Sequence, residues 1–363
     1  MTSEFTSDGA AGASPVTAGP GAADLRAAGS VTFAGGFDRA SVEAAAALAV
    51  RAPSIHNTQP WQWNYGPTGL ELRADRDRQL AVADPDGHSL LISCGAALSL
   101  MEVGLRAAGW LVDVERFPSR ADPDLLARLS PAGRGSPSQL DLDRADAGSR
   151  RRSDRRPFTS DAVTEDAIEI LRASADRTGV HVHFPVRAEE KVNLAVAVSW
   201  ADRIERDDVA YTAEMARWVH DSDVHPDGVP AEVVPRISVG HARHTDIPLR
   251  DFEIGITGKS LIEADVDEHP IIAVLMTESD SGLDQLRAGE SMMRLMIEAE
   301  LNDLASCPLS QAVDLVAFRA RLQTLMSWSG FPQMMLRLGR PIGDAGGRTP
   351  RRPLTDVLHF SGG

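Results

Sequence analysis

The residues best suited to chemistry in this chain are arginines, and five of them fall in one short run, Arg150-Arg151-Arg152-Ser153-Asp154-Arg155-Arg156. A guanidinium group keeps its charge and presents a planar fork of donors that matches phosphate oxygens. A second pair, Arg351 and Arg352, lies directly before a predicted closing strand, and the two clusters could converge on one dianion. The run therefore predicts a phosphate-binding turn. The alternative is a solvated basic linker that pairs with the acidic remainder of the chain.

The segment 52–61, Ala-Pro-Ser-Ile-His-Asn-Thr-Gln-Pro-Trp, is the more specific signal. Pro53 and Pro60 restrict the backbone, so the polar side chains between them lie on a stiffened loop between a helix and a strand. Such a loop can direct amide and main-chain groups at the edge of a heteroaromatic ring. The alternative is a helix-ending turn whose Trp61 and Trp63 only pack in the core.

Both motifs resemble those of the nitroreductase family. Arg151-Arg152-Ser153-Asp154-Arg155 is similar to that family's Arg-x-Ser-x-Arg phosphate motif, and residues 53–61 are similar to its Pro-Ser-x-x-Asn-x-Gln-Pro-Trp segment. The stretch 334–341 and then Arg351-Arg352-Pro353-Leu354 resemble its ending. The resemblance spans roughly residues 38–360, outside a long insertion, and implies an α+β fold that binds FMN.

The two motifs occur in the reverse of the usual family order, and each lies in a different half of the chain. Ordinary members are homodimers in which each flavin takes phosphate contacts from one subunit and part of its ring wall from the other. Here the first half has Gly35-Gly36-Phe37-Asp38-Arg39 where the arginine motif should be, and the second has Arg177-Thr178-Gly179-Val180-His181 where the Pro-Ser segment should be. This arrangement is similar to the Acg-type FMN-binding branch. It implies two diverged tandem copies that form an intramolecular pseudo-dimer with one intact site.

The resemblance also implies the residues of that site. Its cofactor-binding residues would be Arg151, Arg152, Ser153, Arg155, Pro53, Ser54, His56, Asn57, Arg351 and Arg352. The insertion at 199–260 could fold over the flavin as a lid, with Trp218, Asp227, Gly228 and Pro230 as its candidate residues.

The implied function is an FMN-binding oxidoreductase that passes hydride from NAD(P)H through the flavin to a nitroaromatic or quinone-like acceptor. The flavin carries the chemistry, so no catalytic side chain is required. Two alternatives remain: a non-catalytic protein that sequesters FMN under the lid, and a flavin-free regulatory protein that binds an anion or nucleotide. The fused chain is expected to act as a monomer, with further dimerisation left open.

Composition narrows the function classes. The 363 residues carry a formal net charge of −15, which disfavours a general nucleic-acid binder. Two cysteines, Cys94 and Cys307, are too few for a disulfide framework and predict buried thiols in a reducing cytoplasm. No apolar run approaches the roughly 20 residues needed to span a membrane, so we expect no membrane span. We also expect no metal site, because His181 and His183 lack a convincing third ligand and Arg243 lies between His241 and His244. Gly255–Ser260 resembles a P-loop ending but lacks its first glycine.

Hydrophobic periodicity predicts the order helix, strand, strand, helix, strand in each half. The expected helices are 38–51 and 89–109 in the first half and 161–177 and 288–305 in the second. The expected strands are 61–65, 70–73, 111–117, 180–186, 271–276 and 354–360. The two long apolar helices are each interpreted as opening on a glycine, Gly95 or Gly289. Leu or Met residues follow at matching offsets (Leu98 and Met292, Met101 and Leu295), which suggests the duplication. The predicted division is a disordered leader at 1–35, halves at 36–130 and 150–360, and a linker at 131–149.

Overall fold

The structure is a computed structural model. It describes residues 36–176, 179–220, 225–230, 233–234, 236–237, 243–245, 261–262, 265–343 and 347–361. The predicted leader 1–35, His241 and Gly255–Ser260 lie outside the described residues.

The first half forms two helices and four strands. They are α1 (Arg39–Ala49), β1 (Trp61–Gly66), β2 (Gly69–Ala74), α2 (His88–Ala107), β3 (Trp110–Arg116) and β4 (Leu125–Arg134), with short 3₁₀ turns at Ile55–Asn57 and Arg76–Arg78. Asp38 caps α1 by accepting a hydrogen bond from the Ser41 amide at 2.8 Å. All the predicted elements of this half are present, and β4 is one strand more than expected.

The predicted linker at 131–149 is wrong. Residues up to Arg134 belong to β4, and a helix, α3 (Gln139–Arg150), occupies the rest. A capping box begins α3, because Ser138 and the carboxylate of Asp141 each accept the other's main-chain amide. The Pro-, Gly- and Ser-rich composition that indicated a linker belongs mainly to the turn between β4 and α3.

The second half repeats this order with additions. Its first part comprises α4 (Glu165–Ala175), β5 (Val180–His183), α5 (Ala188–Asp207) and α6 (Val209–Trp218). Six short strands follow: β6 (Val219–His220), β7 (Val229–Pro230), β8 (Arg236–Ile237), β9 (Arg243–Thr245), β10 (Leu261–Ile262) and β11 (Val266–Glu268). The last part comprises β12 (Ile271–Thr277), α7 (Gly282–Leu301), β13 (Ala305–Leu309), α8 (Val316–Met326), β14 (Phe331–Gly339), a 3₁₀ turn (Leu354–Asp356) and β15 (Leu358–Phe360).

The two main sheets have the same strand order. In the first half β1-β2-β4-β3 are neighbours, and in the second half β5-β12-β14-β13. The last strand, β15, leaves the second half and pairs in parallel with β1, placing Leu358 opposite Trp63. The order of elements that duplication predicts therefore occurs twice in the described part of the chain, while the duplication itself stays a prediction.

Helices α2 and α7 cross at the centre of the core through Gly95 and Gly289. A Cβ atom on Gly95 would collide with the carbonyl oxygen of Leu286, and one on Gly289 with the carbonyl oxygen of Ile92. Only glycine permits two backbones to approach this closely. Trp61 and Trp63 are fully buried in the same core. Both side chains therefore pack in the core, as the alternative interpretation of segment 52–61 predicts.

Helix α2 is long and apolar enough to cross a membrane by length and composition, but 72% of its apolar window is buried inside the fold, as in a core helix. Both cysteines are buried free thiols, as predicted. Among the described residues, no group of three or more His, Cys, Asp or Glu side chains could hold a metal ion.

Candidate functional site

The Pro-Ser loop, residues 52–61, connects α1 to β1 in an unusual conformation. His56, Asn57 and Gln59 have φ values of 45°, 56° and 51°, in the left-handed region that residues with a side chain rarely adopt. The hydroxyl of Ser54 accepts the Gln59 amide at 2.9 Å, and Ser93 of α2 accepts the Ile55 amide at 3.2 Å. Conformations of this kind persist only where surrounding contacts enforce them, and they occur often at ligand sites.

The two amide side chains of the loop face the insertion and the C-terminal arm, which we define as residues 347–354. Asn57 Nδ2 donates to Gly228 O at 2.9 Å and to Pro350 O at 3.1 Å. Gln59 Nε2 donates to Pro226 O at 2.8 Å, and its Oε1 accepts the amide of Arg352 at 2.9 Å. The loop is therefore fixed on both sides by segments far away in sequence.

The arginine turn, residues 150–158, begins where α3 ends and meets the Pro-Ser loop. Arg151 is only 4% exposed, and its Nη2 donates to the carbonyl oxygen of Arg51, the residue that precedes the loop. Arg351 of the C-terminal arm donates to the same carbonyl oxygen at 3.2 Å and to Ala52 O at 3.4 Å. Three segments separated by 100 and 300 positions thus converge on one main-chain group.

A buried ion pair forms hydrogen bonds with the main chain of the arginine turn. Arg337 and Glu268 are both fully buried, with Arg337 Nη2 3.0 Å from Glu268 Oε2. The same carboxylate oxygen accepts the amide of Phe158 at 2.7 Å, and Arg337 Nη2 also donates to Arg156 O at 2.6 Å. Within the turn, Arg156 pairs with Asp154 at 2.6 Å, so this arginine is directed at a carboxylate.

The cavity between these segments contains most of the predicted site. It is lined by residues of the Pro-Ser loop and its flank, of the arginine turn, of the insertion and of the C-terminal arm. They are Arg51, Pro53, Ser54, Asn57, Arg151, Arg152, Ser153, Asp154, Arg155, Arg156, Val229, Val233, Gly347, Arg348, Thr349 and Arg351. Eight of the ten proposed cofactor-binding residues are among them.

The other two proposed residues, His56 and Arg352, are not in the lining. His56 is buried beside lining residues. Arg352 points to the outer side of the loop, where its Nη1 donates to Gln59 O at 3.1 Å and lies 3.3 Å from Asp75 Oδ2. Arg51 and Arg348 are the cations that the sequence left unassigned. In the sequence, Arg51 is the last residue of the predicted helix 38–51. Arg348 lies three residues before Arg351, outside the Arg351-Arg352 pair that resembles the family's ending.

The cavity is strongly cationic. Burial, and after it the charge of Arg51, lowers the pKa of Arg151 to about 10. Burial, and after it Arg151, Arg51 and Arg348, lowers the pKa of Arg351 to about 9. Burial likewise lowers the pKa values of Arg51 and Arg152. All of these groups are still protonated at pH 7, so their positive charges repel one another inside the cavity.

Some of these guanidinium groups lack a carboxylate partner in the described part of the chain. Arg51, Arg151, Arg348 and Arg351 form no ion pair with a described carboxylate. Nε and Nη1 of Arg151 and Nε of Arg351 are buried donors that have no acceptor within the described structure. Buried donors normally have partners, so the arrangement is that of an anion-binding site.

The proposed lid residues lie beside the Pro-Ser loop. Gly228 accepts from Asn57, as described above, and Asp227 forms an ion pair with Arg78. The guanidinium of Arg78 lies 5.6 Å from the centroid of the Trp218 ring. Pro230 is buried, and its neighbour Val229 lines the cavity. The insertion therefore contacts the loop through the segment 225–230, which we name the lid segment.

Helix α6 of the insertion is fixed by a group that the sequence did not single out. The buried carboxylate of Glu214 accepts the amides of Ala81 at 2.7 Å and Ala83 at 2.8 Å, and that of Val82 at 3.2 Å. Three successive amides directed at one carboxylate form an anion-binding nest. Only the folded arrangement reveals it, because nothing in an Ala-Val-Ala run marks such a nest.

Known proteins resemble this chain over most of its length. "Putative NAD(P)H nitroreductase Rv3131" of Mycobacterium tuberculosis strain H37Rv is 36% identical over 330 residues, covering 89% of this chain and 92% of the relative. "Putative NAD(P)H nitroreductase acg" of the same strain is 30% identical over 322 residues, covering 88% and 95%. No protein-family model matches the chain. A solved nitroreductase with bound FMN from Bacteroides fragilis NCTC 9343 is 11% identical with a TM-score of 0.36, covering 58% of this chain and 94% of that one.

Proposed function

The chain belongs to the nitroreductase family, and on that premise we propose that it is an FMN-binding oxidoreductase. The observation that carries the proposal is the group of mutually repelling guanidinium groups at the Pro-Ser loop, of which that of Arg151 is buried and those of Arg51 and Arg351 are partly buried. Arg51, Arg151, Arg348 and Arg351 have no described carboxylate as a counter-ion. A phosphate monoester carries close to two negative charges at pH 7 and three acceptor oxygens, which fits this set of donors.

FMN suits the remaining lining as well. The phosphate would lie among Arg151, Arg152 and Arg351, and the ring against Pro53 and Ser54 of the Pro-Ser loop. Arg151 Nε and Nη1, which are buried donors, are the atoms that a phosphate oxygen would satisfy. When bound, the flavin supplies the hydride chemistry, while the chain binds and orients it and limits the access of water.

We propose NADH or NADPH as the hydride donor and a nitroaromatic or quinone-like small molecule as the acceptor. No side chain of the chain has to act as an acid or base in that scheme. We also propose that the halves at 36–130 and 150–360 act together as a monomeric pseudo-dimer with one FMN, and that the protein works in the cytoplasm on small molecules, without nucleic-acid or membrane partners.

A second candidate function is sequestration of FMN without catalysis. It is favoured by the contacts between the lid segment and the Pro-Ser loop, in which Asn57 bonds Gly228 and Gln59 bonds Pro226. A lid held in this way would cover the flavin face that a nicotinamide must reach. A third candidate, a flavin-free regulator that binds an anion or nucleotide, uses the same arginines.

Two measurements distinguish the three candidate functions. Purified protein that is yellow and releases FMN on denaturation, identified by mass, supports a flavoprotein, and colourless protein that does not take up added FMN contradicts it. Rapid anaerobic bleaching of the bound flavin by NADH or NADPH supports the oxidoreductase. Bound FMN that neither nicotinamide reduces, although dithionite does, supports sequestration.

A further inference from the structure

A second cleft, of about 920 Å³, lies between α2, α3, α4, α7 and β3. We propose that it is the docking groove for a segment of the same chain, residues 24–30, which would pack there as α3 packs in the equivalent groove.

The central helices define which positions are equivalent. Helices α2 and α7 both have 20 residues, and the crossing glycines, Gly95 and Gly289, are the eighth residue of each. Their close contacts are reciprocal, since each glycine faces the carbonyl group three residues before the other. Helices α1 and α4 both have 11 residues and begin after a capping side chain, so their positions also correspond one to one.

Helix α3 packs in its own groove through Gly148. A Cβ atom at Gly148 would lie 2.9 Å from Leu100 Cδ2, 3.6 Å from Leu48 Cδ1 and 3.8 Å from Ile297 Cδ1. Gly148 and the preceding Ala147 are the buried residues of α3. This groove therefore accepts a helix only where its residues are very small.

The lining of the second cleft includes the counterparts of those three residues. Leu100 and Arg294 each lie five positions after the crossing glycine of their own helix. Ile297 and Val103 each lie eight positions after it. Leu48 is the tenth residue of α1, and Ser174 is the tenth of α4. The three counterparts that line the second cleft are Arg294, Val103 and Ser174.

The occupant is identified by its sequence. Asp24-Leu25-Arg26-Ala27-Ala28-Gly29-Ser30 matches Asp143-Arg144-Ala145-Asp146-Ala147-Gly148-Ser149 of α3, with Asp, Ala, Gly and Ser at the same places. The match puts Ala28 and Gly29 where α3 buries Ala147 and Gly148. Both segments also lie shortly before the first helix of their half, α1 or α4. The docked segment replaces the disordered leader predicted for this part of the chain.

The same alignment explains why only one site would hold phosphate, a consequence that rests on the proposed function. This alignment moves the position of the lost arginine motif from residues 35–39 to residues 32–36. Val31, Thr32 and Phe33 stand where Arg150, Arg151 and Arg152 stand in the second half, and Ala34 replaces Ser153. The docked segment would complete the packing of the second half, and no arginine would follow it at the positions of Arg150, Arg151 and Arg152. The docking can be tested without any flavin, so its failure is distinguishable from a failure of the flavin assignment.

The test is a cross-link in the full-length protein. Ser30→Cys is combined with Ser174→Cys, the counterpart of Leu48, and treated with a short bismaleimide. The matched control combines Ser30→Cys with Val192→Cys on exposed α5. Native Cys94 and Cys307 are buried and are the same in both proteins. We expect at least a fivefold higher yield of intrachain cross-link for the Ser174 pair, and Gly29→Trp should abolish that excess.

Equal yields for the two pairs, or no cross-link in either, would overturn the proposal. A cross-link that forms only between two chains would also overturn it, because the occupant would then be a second copy. Hydrogen exchange gives an independent check. Amides of residues 24–30 should exchange at least tenfold more slowly than those of residues 5–12, and equal rates would contradict docking even if a cross-link formed.

Discussion

Arg151 and Arg351 donate hydrogen bonds to one and the same acceptor, the main-chain carbonyl of Arg51. One guanidinium comes from the arginine turn and the other from the C-terminal arm, and the carbonyl precedes the Pro-Ser loop. This shared bond sets the geometry of the proposed phosphate site. It also explains how two positive charges stay close together without a carboxylate between them.

Replacing Arg351 by alanine should weaken FMN binding about 10- to 100-fold. A hydrogen bond to a charged group contributes about 1.5–3 kcal/mol, and each 1.4 kcal/mol is a factor of ten in affinity. The dissociation constant can be measured by flavin fluorescence as FMN is titrated into flavin-free protein. Arg172→Ala, which removes a surface arginine paired with Glu169, is the control. Unchanged affinity in Arg351→Ala would contradict the site.

Replacing Arg51 by glutamine should have opposite effects on stability and on binding. The pKa of Arg51 is lowered by burial and by Arg348 and Arg152, so the loss of its charge relieves repulsion and should stabilise the flavin-free protein by about 1 kcal/mol. The same loss should weaken binding of FMN but not of riboflavin, which has no phosphate. Urea unfolding and parallel titrations of both flavins test this, and equal weakening for both would exclude a phosphate contact.

Replacing Glu214 by glutamine should loosen the insertion. The carboxylate accepts amides from Ala81, Val82 and Ala83, whereas glutamine offers one acceptor oxygen and turns an NH₂ donor toward those amides. A buried amide left without an acceptor costs about 1–3 kcal/mol. If the insertion limits access to the flavin, anaerobic reduction by NADPH should become severalfold faster. Glu169→Gln, on an exposed helix face, should leave that rate unchanged, and an unchanged rate in Glu214→Gln would mean that the insertion does not control access.

Stability should fall as the pH rises toward 8, because of Asp84. Burial raises the pKa of Asp84 from 3.8 to about 7, with the charge of Asp314 adding to the effect and main-chain bonds from Ser89 and Leu90, with Arg319, opposing it. A carboxyl whose folded pKa is raised stabilises the fold fully below its unfolded pKa, and that contribution is lost as the pH rises through about 7. Urea unfolding at pH 5 and pH 8 should show the loss in the wild type. Asp84→Asn should show a smaller difference, and an identical slope in both proteins would contradict the assignment.

Replacing Gly289 by alanine should destabilise the protein by more than 3 kcal/mol or prevent folding, because overpacking of this severity exceeds the usual ~1–3 kcal/mol. Its Cβ would collide with the Ile92 carbonyl, which belongs to the facing backbone and cannot move aside. Gly135→Ala is the control, since nothing lies within 4 Å of its Cβ position. Thermal unfolding should show little change in the control, and similar melting temperatures for both variants would refute the crossing geometry.

Short-range patterns predicted much of this fold. Helices α1 and α2 and strands β1 to β3 follow from apolar periodicity and from the glycines and prolines that end them. The same reasoning missed β4, whose period-two pattern is interrupted by Pro131, and α3, whose low hydrophobicity resembles a linker. Both depend on tertiary contacts, since β4 lies between β2 and β3 and α3 buries only Ala147 and Gly148.

The residues of the candidate site also divide into those that the sequence indicates and those that only the folded structure reveals. The arginine turn and the Pro-Ser loop carry recognisable residues at close spacing, so the sequence indicates them. Arg51 could not be found in this way, because its carbonyl and its charge matter only after three distant segments meet. Arg352 illustrates the converse, since adjacency to Arg351 suggested a shared role while the backbone directs its side chain toward Asp75.

The distribution of the cavity among three remote stretches has a consequence for biosynthesis. A ribosome must translate the chain at least as far as Arg351 before the full set of guanidinium groups exists, so a polypeptide truncated before that residue should lack the complete proposed phosphate site.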